Sequence, residues 1–253
     1  MGAQTHCQEL VRQGMDALAA DSLMQAEQYF RLAMHEQPAD RSNYLLFRYI
    51  GQIQEKQGKQ QEALESYTAG LNLNPKNLDL MLDRAALYYR MGNEQRALSS
   101  YTDVLDIEPD NTEALLMRAH IYSGMHDAKR ARNDYNAILA NEPLNESAYI
   151  GLVLLNDNDN RPREAMEQIT ALISVYPTHA LPYAIRGGMY QRRREYELAL
   201  HDLSRAIAIE PKNPDFYVSR ALLYEEMRKK KLARADTQTA LRLGADPHGW
   251  LMK

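Results

Sequence analysis

The sequence predicts an all-α protein, a right-handed α-solenoid of seven helix-turn-helix repeats. Two registers carry the prediction. Prolines recur at Pro75, Pro109, Pro143, Pro177 and Pro211, and alanines at Ala63, Ala97, Ala131, Ala165, Ala199 and Ala233, each 34 residues after the last. A fixed period of roughly 20–50 residues marks a stack of supersecondary units, none able to bury its apolar side alone. Each period also holds two apolar stripes at helical spacing with a turn between them.

The repeat at 78–111 shows the logic. Met81, Arg84, Ala85 and Tyr88 fall on one stripe of a first helix. Gly92 supplies the backbone freedom to leave that helix. Ala97, Leu98, Tyr101, Val104 and Leu105 form the stripe of a second helix, and Pro109 stops it because proline has no amide proton to donate. The same reading places repeats at 7–40, 44–77, 78–111, 112–145, 146–179, 180–213 and 214–247, as a single solenoid followed by a short tail at 248–253. In repeat one, Ala26, Phe30 and Pro38 stand three residues out of step, and the insertion 41–43 explains the offset. In the first helices, Gly14, Gly51, Ala85, Ala119, Gly187 and Ala221 share one small slot, with Val153 the exception. Small residues there and at the second-helix alanines let paired helices approach closely. The large residue four positions after each alanine (Tyr67, Tyr101, Tyr135, Ile169, Leu203; Thr237 in the last repeat) fills the space beside the contact.

This pattern resembles the tetratricopeptide repeat family. The period, the small–Tyr pairs (Ala85 with Tyr88, Ala119 with Tyr122, Gly187 with Tyr190, Ala221 with Tyr224), the Ala–aromatic pairs and the closing proline all match, over nearly the whole chain. The departures are the family's tryptophan slot, which holds Leu10, Phe47, Met81, Leu115, Tyr149, Tyr183 and Tyr217, and Ala245 in place of a last proline. The resemblance implies a non-catalytic scaffold that binds a protein or peptide along a concave surface lined by the first helices. Carried onto this chain, the ligand-facing slots give Asp79, Leu82, Asp83, Tyr89 and Arg90, then Glu113, Leu116 and His120, then Ile150 and Leu154. The leucines and Ile150 suit an apolar side chain or a partner helix; Asp79, Asp83 and Glu113 suit a basic group. The competing reading is that the apolar members only pack helix on helix. Some family members grip a carboxylate with lysines and asparagines at these slots. Here the slots hold Arg48, Leu82, Leu116 and Ile150, then Gln52, Ala86, His120 and Leu154, so that clamp is not expected.

The chain offers little for chemistry. It shows no phosphate-cradling glycine loop and no nucleophile elbow, and its seven histidines are scattered. No catalytic residue, metal or cofactor is expected. Asn156–Asn160 reads NDNDN, but a calcium loop would need glycine where Arg161 stands, so a turn with a helix cap is the reading. Arg84, Arg118, Arg186 and Arg220 precede the small slot, and the second helices of their repeats carry Ser100, Asp134, Asp202 and Asp236 at one position. An ion pair between the two helices of a repeat is the preferred reading; a bound acidic ligand is the alternative.

Two further surfaces stand out. The turns between paired helices carry Arg192, Arg193 and Arg194 in repeat six and Arg228, Lys229, Lys230 and Lys231 in repeat seven. This edge gives the alternative function, capture of an anionic partner (nucleic acid, an acidic protein or a membrane surface); nucleic acid and membrane are the less expected of these, and aromatics that would stack on bases are missing apart from Tyr196. The last helix carries Leu232, Ala233, Ala240, Leu241 and Leu243 with no following repeat, which allows a homo-oligomer through that face or cover from 248–252. The net charge is −4, and one cysteine excludes an internal disulfide. The start MGAQTH has no signal-peptide pattern, and an exported bacterial (periplasmic) protein is the expectation, slightly ahead of a cytoplasmic one.

Overall fold

The computed structural model of the chain describes residues 2–159 and 161–246. Among these, fourteen helices and no strand form: α1 (Gly2–Ala19), α2 (Leu23–Glu36), α3 (Asn43–Lys56), α4 (Gln60–Leu73), α5 (Leu78–Arg90), α6 (Glu94–Ile107), α7 (Thr112–Gly124), α8 (Ala128–Asn141), α9 (Glu146–Asn158), α10 (Pro162–Val175), α11 (Ala180–Arg192), α12 (Tyr196–Ile209), α13 (Pro214–Glu226) and α14 (Lys230–Arg242). The fold is an all-α solenoid of helical repeats, and its helices follow the 34-residue register. Two compact units divide it after Met125: α1–α7, and α8–α14. In the first, α1 packs on α2, α3 on α4 and α5 on α6, with α2–α3, α4–α5 and α6–α7 joining successive pairs. In the second, α9–α10, α11–α12 and α13–α14 are the pairs, joined through α8–α9, α10–α11 and α12–α13.

Local chemistry sets the helix ends. Asn77, Asn111 and Asn145, one period apart, each turn a side-chain oxygen onto the amide three residues on, at 2.9–3.0 Å. Asn93 and Asp127 do the same for second helices. These caps satisfy amides that the helix itself leaves unbonded. The turn between paired helices needs one left-handed residue. Gly58 (φ 77°) and Gly92 (φ 74°) supply it in repeats two and three, whereas Asp21, His126, Arg194 and Arg228 adopt it at φ 56–61° despite a β-carbon.

The expected close approaches are present. Ala63, Ala97, Ala131, Ala165 and Ala199 have no exposure. A β-carbon at Gly51 would strike the Tyr67 ring, and one at Gly14 the Phe30 ring.

Polar groups between paired helices follow two schemes. Arg186 donates Nε and Nη2 to Asp202 at 2.7 and 3.0 Å, and Arg220 does so to Asp236 at 2.7 and 2.9 Å. Both guanidinium groups lie over tyrosine rings, Tyr183 and Tyr190 or Tyr217 and Tyr224. These two pairs are structural, as the preferred sequence reading held. Repeats two and five use amides instead. Ser66 donates to Gln54 at 2.7 Å, and Asn156 donates to Gln168 at 2.9 Å.

Asn156 therefore corrects the reading of NDNDN as a turn. Asn156, Asp157 and Asn158 are helical, the last residues of α9; Asn156 is buried and also accepts from Arg132 at 2.6 Å. Asn160 lies outside the described residues.

The last helix also differs from expectation. Ala233 and Ala240 are buried, and Leu232 occupies a position that points outward in the other repeats too. Where second helices meet the following repeat, Leu71, Leu105, Ile173 and Ile207 are 7–8% exposed; Leu241, in the same register, is 43% exposed. Around it, however, stand Arg234, Thr237 and Gln238, in the places of Leu200, Leu203 and Ser204. Apart from Leu241, that end is capped by polar residues rather than left greasy. The tail residues proposed to cover it lie outside the described residues.

Candidate functional site

The first helices carry the candidate face. In the first unit, Arg48 of α3 reaches α5, donating Nε to Asp83 at 2.6 Å and Nη1 to Asp79 at 2.8 Å, while Gln52 donates to Asp83 at 3.1 Å. Glu55 accepts from Arg90 and, at 2.5 Å, from the Tyr67 hydroxyl. Burial, with the hydrogen bond to Glu55, pushes the Tyr67 phenol far above its ordinary range, so it stays a donor. Asp79, Asp83 and Arg90 thus already pair with neighbours within the face, so Asp79 and Asp83, expected to suit a basic group, have one in Arg48. The sequence reading passed over Arg48 and Glu55 as partners because it compared equivalent residues 34 apart. The contacts run across repeats at separations of 31 and 35: Arg48–Asp79, Arg48–Asp83 and Glu55–Arg90. Opposite charges at i and i+35 on first helices were the signal available.

Between α5 and α7 the face changes. Leu82, Tyr89 and Leu116 are half-buried; Glu113 and His120 are exposed. Tyr89 and His120 meet edge to face with centroids 5.8 Å apart. Beneath them, Tyr101 has no exposure and its hydroxyl has no hydrogen-bond partner. Burial first, then the nearby Glu113 carboxylate, raise that phenol's pKa, with Arg90 opposing.

In the second unit, Ile150 is half-buried and Leu154 is 43% exposed on α9. Arg192 of α11 binds Asp157 of α9, and Gln191 donates to Glu226 of α13 at 2.7 Å. A cleft of about 690 Å³ opens here, lined by Gly188, Gln191, Arg192, Arg194, Tyr196 and Glu226.

The basic edge is partly neutralised. Arg192 is held by Asp157, Arg193 donates to the Pro162 carbonyl at 2.6 Å, and Lys229 lies 3.9 Å from Glu197. Arg194, Arg228, Lys230 and Lys231 are exposed, without a charged partner among the described residues. A larger cleft, about 1110 Å³, sits away from the first-helix face on α2, where Leu23, Met24 and Leu32 meet Arg31 and Lys59; no sequence motif marked it. Among the described residues no group of three His, Cys, Asp or Glu side chains is placed to hold a metal ion, and no helix is long and apolar enough to cross a membrane.

Comparison with known proteins fits this architecture. The Tetratricopeptide repeat family matches residues 48–112. A tetratricopeptide repeat protein from Parabacteroides merdae ATCC 43184 superposes with a TM-score of 0.86 at 28% identity, over 98% of this chain and 97% of its own. A chain of the APC/C hetero-tetramer Cut9–Hcn1 gives 0.63 at 12% identity, over 93% of this chain and 52% of its own. A MamA RS-1 double mutant gives 0.58 at 21%, over 68% and 96%. These last two share the fold alone. No curated protein sequence matches the chain. Residues 48–112 thus match the tetratricopeptide repeat family's model, and the fold over nearly the whole chain is similar to that of a tetratricopeptide repeat protein. That family is in general one of non-catalytic, protein-interacting scaffolds.

Proposed function

We propose that the chain is a non-catalytic scaffold that binds a protein or peptide on the face of its first helices. The observation that carries this is the set of apolar and aromatic side chains that their own helix partners leave uncovered: Leu82, Tyr89, Leu116 and His120 in one unit, Ile150 and Leu154 in the other. A helical face with partly exposed apolar side chains between charged neighbours suits a peptide or an amphipathic helix. The test is capture of partners from the source organism by the wild type and by Leu116→Asp plus Ile150→Asp. Loss of specific partners in the double variant supports the reading; identical partners defeat it.

A second reading is capture of an anionic partner at the basic edge, favoured by the exposed Arg194, Arg228, Lys230 and Lys231. Salt separates the two, since edge binding weakens steeply with ionic strength and apolar contact does not.

A further inference from the structure

One junction of the first-helix face can be read against the next. Between α3 and α5, every polar group named above is answered: Arg48 by Asp79 and Asp83, Gln52 by Asp83, Tyr67 and Arg90 by Glu55. One period later, between α5 and α7, Leu82 stands for Arg48, Ala86 for Gln52, Tyr89 for Glu55, Glu113 for Asp79, Met117 for Asp83 and Gly124 for Arg90. The carboxylate is retained and the guanidinium is gone. Glu113 has no partner among the described residues, while the Tyr101 hydroxyl, equivalent to the satisfied hydroxyl of Tyr67, is buried without one. A buried hydroxyl left unbonded is costly. Two independent features therefore mark the same junction as incomplete.

We propose that the α5–α7 junction receives an arginine side chain from a bound peptide, its guanidinium taking at Glu113 the place that Arg48 takes at Asp79. The proposal rests on the first-helix reading above and narrows it to a basic, arginine-bearing segment. Leu82 and Leu116 offer apolar surface for the aliphatic stem. The Tyr89 ring offers its face to the planar cation, and the Tyr101 oxygen has a free lone pair for an N–H. Arginine fits better than lysine because its rigid fork meets a carboxylate and stacks on a ring at once.

The test is an NMR titration of the isotopically labelled full chain with N-acetyl-arginine N-methylamide and with its neutral citrulline counterpart. The expected result is saturable shifts at Glu113, Tyr89 and His120 with arginine. Citrulline, or the Glu113→Gln variant, should bind about fivefold more weakly, the scale of one partly screened ion pair. Leu82→Arg should abolish binding by filling the place with the chain's own guanidinium. Arg48→Leu should open a second arginine position at Asp79 and Asp83. Dispersed spectra of each variant confirm that it folds. Equal binding of citrulline, an unaffected Glu113→Gln variant, or shifts spread over all exposed carboxylates would overturn the proposal, leaving Glu113 as a solvated surface charge and Tyr101 bonded to water. If that happens while Leu116→Asp plus Ile150→Asp still loses its partners, the broader reading survives and only this inference falls.

Discussion

Repeats two and six keep the same helical frame and fill it differently. In repeat two, a neutral hydrogen bond from Ser66 to Gln54 crosses between α3 and α4. In repeat six, Arg186 and Asp202 make a two-pronged ion pair between α11 and α12, with the arginine between Tyr183 and Tyr190. Repeat five follows the first scheme and repeat seven the second. Three positions change together. Where the first helix carries arginine followed four residues later by tyrosine, the second helix supplies aspartate. Where it carries Ile50 or Leu152 followed by Gln54 or Asn156, the second helix supplies Ser66 or Gln168. Repeat three mixes the sets: Arg84 and Tyr88 stand opposite Ser100, and the Arg84 Nε is buried without a partner. The interiors of repeats two, five, six and seven are thus matched sets, and the mismatch in repeat three leaves an unsatisfied atom.

The largest effect is expected from Asp202→Ala. The Asp202 side chain is 2% exposed and that of Arg186 is 15% exposed. The hydrogen bond to Asp202, outweighing burial, raises the Arg186 pKa and keeps the guanidinium charged. Removing the acid strands a largely buried cation, which should cost about 3–5 kcal/mol in urea unfolding. Gln168→Leu in repeat five should cost less, about 1–3 kcal/mol, because it strands a neutral amide donor of Asn156 rather than a charge. If the two losses came out equal, the distinction between the ionic and amide schemes would carry no energetic meaning. Ser100→Asp sharpens the comparison from the other side. It completes the set in repeat three and should stabilise by about 1 kcal/mol, the net worth of one added hydrogen bond to a charged group after desolvation. Loss of stability in Ser100→Asp would show that repeat three has closed around serine and cannot admit the acid.

How much of this was legible in sequence depends on the separation of the partners. The helices, the small slots and the Arg186–Asp202 and Arg220–Asp236 pairs lie within one period, so a register of identical slots exposes them. Arg48 with Asp79 and Asp83, and Glu55 with Arg90, join adjacent repeats off the period, and the same register hides them. Asp79 and Asp83 therefore read as open to a basic group, when among the described residues only Glu113 of those three is without a partner. Asn156 read as turn material because Asn and Asp favour turns. Its burial beside Gln168 and Arg132 overrides that preference. The unsatisfied Tyr101 hydroxyl had no sequence signature, since Tyr67 and Tyr101 are the same residue in the same slot and differ only in what faces them.

The turns extend the comparison to its smallest expected effect. Repeat two turns on Gly58 at φ 77°, repeat six on Arg194 at φ 61°. A β-carbon in the left-handed region meets the following carbonyl, at a cost of about 1–2 kcal/mol. Glycine removes that cost but returns part of it as chain entropy in the unfolded state. Arg194→Gly should therefore stabilise by only about 0.5 kcal/mol, and Gly58→Arg should destabilise by a similar amount, both read from thermal midpoints. The sign matters more than the size. A gain in Arg194→Gly means that the folded chain keeps an exposed cation at a strained position beside the α11–α13 cleft without any return in stability, so the return must lie in what the cation meets. A loss means that Arg194 already makes contacts worth more than its strain, and the basic edge of repeat six is then a structural feature like the Arg192–Asp157 pair beside it.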